Sequence, residues 1–81
     1  MNLKLEILQA LDGVSGHMFL EPVLHRQLQL TLPIAPTRVE FETALRELDG
    51  QKYICGINPE MGGPVKWAIT DKGKAALNNA L

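Results

Sequence analysis

Eighty-one residues, 46% hydrophobic and 21% charged, describe one small globular domain over residues 1–81, too apolar for a disordered chain. Eight Lys and Arg against nine Asp and Glu give a net charge of -1, without the basic excess of a dedicated nucleic-acid binder, whose affinity rests on phosphate contacts. No apolar run approaches the ~18 residues of a membrane span, the charged start does not read as a signal peptide, and a lone Cys55 excludes an intrachain disulfide or a cysteine-cluster zinc site, which points to a reducing cytoplasm.

Leu3, Ile7, Leu8 and Leu11 form the stripe of an amphipathic helix, and Gly13 stands where a left-handed residue would close it. Leu5 lies off the stripe, to cover a neighbouring element or meet a second subunit. Val14-Ser15-Gly16 reads as a loop and His17-Met18-Phe19-Leu20 as a short extended segment. A second helix begins near Glu21, whose charge suits the dipole, with Pro22 in its first turn; Val23, Leu24, Leu28 and Leu30 are its apolar candidates. Two prolines in Thr31-Leu32-Pro33-Ile34-Ala35-Pro36 then force a rigid turn.

The third helix carries the clearest start signal. Thr37-Arg38-Val39-Glu40 matches a capping box, Thr at the cap and Glu three residues on. Phe41, Ala44, Leu45 and Leu48 follow as one narrow apolar face, and Gly50 is placed to end the helix after Asp49. The period then changes to two. Tyr53–Ile57 and Val65–Ile69 read as strands joined by the turn formers Asn58-Pro59-Glu60-Met61-Gly62-Gly63-Pro64, with Val65, Trp67 and Ile69 facing the helices. Thr70 caps a last short helix carrying Ala75, Ala76 and Leu77, expected to fray through Asn78 and Asn79.

Two stretches carry a family resemblance. Phe41-xxx-Leu45-xx-Leu48-Asp49-Gly50-Gln51-Lys52-Tyr53-Ile54 resembles the passage from third helix to first wing strand in winged helix-turn-helix proteins. Trp67-Ala68-Ile69-Thr70-Asp71-Lys72-Gly73-Lys74-Ala75-Ala76-Leu77 resembles the segment that closes the wing in PadR-like and MarR-like transcription regulators. The resemblance runs from about the second helix onward. It implies an α+β winged helix-turn-helix fold: a three-helix core, a C-terminal two-stranded β-wing and a short final helix. It further implies regulation of transcription by binding duplex DNA, the third helix (about 37–49) in the major groove and the wing loop 58–64 near the backbone. A symmetric dimer would present two such helices to half-sites about one helical turn apart.

Stepping 100° per residue from Phe41 points Val39, Thr43 and Arg46 outward, flanked by Glu40, Glu42 and Glu47, with Arg38 near the exposed start. On the DNA reading, Arg46 and Thr43 lie near bases and Arg38 and Lys66 near phosphates, while Arg26, with His25, can reach the backbone from the second helix. One Arg among three Glu equally fits a surface that docks on a protein, so a winged-helix interaction module using the acidic third helix, or the Met61 loop, stands as the alternative. No enzyme is expected. Gly62-Gly63-Pro64 lacks the following Lys and helix of a phosphate loop, and His17 has no ligand partner at metal spacing, so neither cofactor nor metal is called for. Cys55, in a strand without a paired His, reads as an inert, half-buried thiol.

Overall fold

The computed structural model describes residues 3–13, 18–58 and 62–80. In chain order these form α1 (Leu3–Asp12), β1 (Phe19–Leu20), α2 (Glu21–Thr31), α3 (Arg38–Gly50), β2 (Ile54–Ile57), β3 (Lys66–Ile69) and α4 (Asp71–Ala80). Four helices and a three-stranded antiparallel sheet of order β1-β3-β2 make an α+β arrangement, compatible with a winged-helix layout though not specific to it. The expected hairpin forms from β2 and β3, and Phe19–Leu20, within the expected extended segment, adds a third strand to it, which the two-stranded expectation lacked. Phe19 and Leu20 pair with Trp67 and Lys66, and Glu21 N–H donates to Val65 O at 2.9 Å, so β1 and the start of α2 are tied to the hairpin.

The helices bury the faces that their spacing dictates, with two exceptions. Ile7, Leu8 and Leu11 of α1, Leu24 and Leu28 of α2, and Phe41, Ala44, Leu45 and Leu48 of α3 are buried in one cluster with Ile54, Trp67 and Leu77. Leu5 is half-buried against that cluster, covering a neighbouring element as one of its two readings required. Val23 and Leu30 are not core. They are 48% and 78% exposed, because the buried edge of α2 follows Leu24 and Leu28, four residues apart, and both others project off that line.

Helix ends show where local chemistry sufficed and where it did not. Thr37 Oγ1 accepts the Glu40 N–H at 3.2 Å and Glu40 Oε1 accepts the Thr37 N–H at 3.1 Å, completing the capping box. The far end differs from expectation. Gly50 remains helical, and the left-handed residue is Lys52, at φ 65°. Lys52 N–H donates to Asp49 O and Tyr53 N–H to Leu48 O, each at 3.0 Å, the two bonds of a Schellman closure with Lys52 where glycine usually stands. Gly13 likewise is not left-handed; its N–H donates to Gln9 O at 3.1 Å as the helix runs out.

Register in the hairpin sets Ile54 opposite Ile69, Cys55 opposite Ala68, Gly56 opposite Trp67 and Ile57 opposite Lys66. Alternation sends Ile54 and Trp67 inward and leaves Cys55, Ile57 and Lys66 exposed. Cys55 is therefore exposed, not half-buried as its strand position alone implied. Val65 and Ile69 are half-buried against the core on the Trp67 side. A Cβ on Gly56 would stand 2.7 Å from Cζ3 of Trp67, so the glycine leaves room for the indole. Gly62 and Gly63, at φ 79° and 112°, turn the loop back toward β3.

One side chain ties the start of the last helix to the close of α3. Thr70 Oγ1 donates to Lys52 O at 2.7 Å and accepts the Gly73 N–H at 3.0 Å, joining the cap of α4 to the close of α3. A Cβ on Gly73 would collide with Tyr53 O and stand 2.8 Å from Cγ1 of Ile69, so this position requires glycine for close approach. Asn78 and Asn79, where fraying was expected, are helical: α4 packs along α1 and continues to Ala80.

Candidate nucleic-acid interface

The exposed surface of α3 divides into two rows that face different neighbours. Arg38, Glu42, Arg46 and Asp49 turn toward α2 and the sheet. One groove there is lined by His25, Arg26, Gln29, Arg38 and Glu42, and a second by Leu45, Arg46, Asp49 and Trp67; Glu21 and Glu42 border both, so the two adjoin. Val39, Thr43 and Glu47 turn instead toward α1, lining a groove with Leu3, Lys4 and Glu40.

This division sorts the residues picked out from the sequence. Arg26, Arg38 and Arg46 come together along the α2 side, all exposed. Val39 and Thr43, also exposed, lie on the α1 side of the same helix. Lys66 is exposed on the face of β3 opposite Trp67 and joins neither row. His25 is not a free surface side chain. Its ring stacks on Phe41 at 4.6 Å between centroids, and Nε2, in the tautomer that carries its hydrogen, donates to Pro36 O at 3.3 Å. His25 thereby fixes the α2–α3 turn. Of the loop 58–64, Pro59, Glu60 and the partner candidate Met61 lie outside the described residues, as does His17.

Charge on α3 is two arginines against four carboxylates. Its three glutamates each have an intramolecular task. Glu42 accepts from Arg38 Nε at 3.0 Å, Glu47 pairs with Lys4, and Glu40 serves the cap. The Thr37 N–H bonded to Glu40, seconded by the Thr37 hydroxyl, holds that carboxyl below its ordinary value. Glu21 is occupied too, accepting the Trp67 indole N–H at 3.0 Å. That bond joins residues 46 apart, and its only sequence signal is an acid in a first turn, which the helix dipole already explains. Among the described residues Arg46 lies within ion-pair distance of no carboxylate.

Among the described residues, no three His, Cys, Asp or Glu side chains converge to hold a metal, and no helix is long and apolar enough to cross a membrane. The chain matches no known family model, no curated protein and no solved structure.

Proposed function

We propose that this chain is a winged-helix domain of a DNA-binding transcription regulator, with α3 entering the major groove of duplex DNA and the hairpin loop 58–64 beside the backbone. One observation carries the reading: Arg26 and Arg38 line one exposed groove and Arg46 the adjoining one, and the glutamates at their shared border, Glu21 and Glu42, have partners within the chain in Trp67 and Arg38. Arg46 is the base-reading candidate, since it lacks a carboxylate partner and a guanidinium can meet guanine O6 and N7 with two donors. Arg38 and Arg26 take phosphates, with Lys66 a further phosphate contact from the sheet and Thr43 and Val39 at the far edge of the helix.

Titration of fluorescent genomic duplexes at two salt concentrations tests this. Binding falls steeply with salt, and Arg26→Ala lowers the salt slope by about one, because one phosphate fewer is neutralised. Arg46→Ala costs about 1–3 kcal/mol on a preferred sequence and relaxes preference among sequences. Flat curves for every duplex at low salt would end the proposal.

The four carboxylates of α3 favour a second reading, a module that docks on a protein through this helix. Glu42→Lys separates the two, strengthening DNA binding on the first reading and abolishing partner capture on the second.

A further inference from the structure

We propose that Glu21 is a specificity-determining residue of the DNA site, accepting a hydrogen bond from the amino group of the cytosine whose paired guanine Arg46 reads. The inference rests on the DNA reading above and adds to it a second reader, from α2 instead of α3.

The start of α2 is fixed to the hairpin at two points. Glu21 N–H donates to Val65 O at 2.9 Å, and Glu21 Oε1 accepts the Trp67 indole N–H at 3.0 Å. Trp67 is itself paired on both sides, with Phe19 and with Gly56, so the sheet holds both the main chain and the side chain of Glu21. Pro22, next in the first turn, restricts the backbone further. One indole N–H leaves most of the acceptor capacity of a carboxylate unused. Glu21 is half-buried and lines the same groove as Arg46. That groove thus sets an oriented acceptor beside a guanidinium which, among the described residues, no carboxylate pairs. Glu42, at the same border, is held by Arg38. Asp49 also lines the groove, exposed and without the indole bond that orients Glu21.

Chemistry selects what lies against this pair. A carboxylate is repelled by phosphate, so the part of a duplex that meets Glu21 has to present a donor. In the major groove those donors are the amino groups of cytosine and adenine. Arg46 decides between them. Its guanidinium meets two acceptors on one base only at guanine, and the amino group beside guanine O6 belongs to the paired cytosine. One G·C pair therefore satisfies both side chains. An A·T pair offers the guanidinium no base with two acceptors. Arg46 alongside also offsets the repulsion that flanking phosphates exert on the carboxylate.

Selection from a randomised duplex pool supplies the probe: the preferred duplex, and the same duplex with the cytosine at the G·C pair read by Arg46 replaced by a pyrimidinone that lacks the amino group. Guanine O6 and N7 remain for Arg46 in both. Wild type binds the pyrimidinone duplex about tenfold more weakly. Glu21→Gln binds the two duplexes alike: its amide oxygen keeps the Trp67 N–H and its NH2 turns to the groove, so a donor stands where the acceptor was. Thermal unfolding followed by Trp67 fluorescence confirms that the variant folds. Equal losses in wild type and Glu21→Gln overturn the inference and leave the DNA reading in place. No loss in wild type does the same whether or not the variant folds, as does a preferred site without a G·C pair. A folded wild type that binds no duplex ends the DNA reading itself, and this inference with it.

Discussion

Three glycines answer to different constraints. Gly73 sits where a methyl group would meet the Tyr53 carbonyl, which belongs to backbone held by the Schellman closure and by the Thr70 N–H. Gly73→Ala should therefore cost about 1–3 kcal/mol in urea unfolding, since the backbone cannot withdraw cheaply. Gly50 is helical, exposed, and has nothing within 4 Å of an added Cβ. Gly50→Ala should stabilise by about 0.5–1 kcal/mol, because alanine loses less freedom on entering a helix. Equal destabilisation by both substitutions would refute this division. Gly56 is intermediate, for its neighbour is the ring of Trp67.

At the scale of the element, α3 owes its start to two reciprocal hydrogen bonds. Thr37→Ala should cost about 1 kcal/mol, as loss of a helix cap usually does. Glu40 adds a pH dependence whose sign follows from the direction of its shift. Its carboxyl is held low in the folded chain by the Thr37 N–H, so the unfolded chain binds the proton more readily. Its contribution is present above the ordinary carboxylate range and fades as pH falls through the lowered value. Urea midpoints of wild type and Glu40→Gln should therefore converge as the solution is acidified from neutral pH. A gap that stays constant would show that the cap does not depend on the charge. The ends of α3 also mark how far local reading reaches. Its start rests on residues three apart, and was legible. Its close at Lys52 was not, because glycine preference favoured Gly50 while the Tyr53 and Thr70 bonds that hold the turn come from strand and helix beyond it.

For the molecule as a whole, Trp67 is the side chain where the parts meet. Its ring covers Gly56 of β2, its indole N–H reaches Glu21 of α2, and its backbone pairs with β1 and β2. A domain this small, with one core cluster joining helices and sheet, should unfold in a single step. Trp67 fluorescence and helical circular dichroism should then give superimposable urea curves; separated midpoints would mean that sheet and helices unfold independently. Trp67→Phe, which keeps an aromatic ring but not the indole donor, should cost stability and free the Glu21 carboxylate. It would thereby weaken the proposed DNA contact beside Arg46.

Most features set by periodicity and by cap or turn residues could be read along the chain, the close of α3 excepted. The amphipathic stripe of α1, the capping box, the buried face of α3 and the Thr70–Gly73 cap depend on near neighbours, whose spacing is written in the order of residues, and the hairpin on alternation either side of a dense run of turn formers. Folding in space decided the rest. The third strand, the outward turn of Val23 and Leu30, and the Glu21–Trp67 bond each depend on a distant segment that spacing does not locate. The candidate site shows the same division. Arg26, Arg38 and Arg46 were legible as exposed cations, but helical angle alone grouped Arg46 with Val39 and Thr43. Because α1 lies along one side of α3 while His25 of α2 stacks on Phe41 toward the other, the tertiary structure parts that group, setting Arg46 beside Trp67 and Val39 beside Lys4.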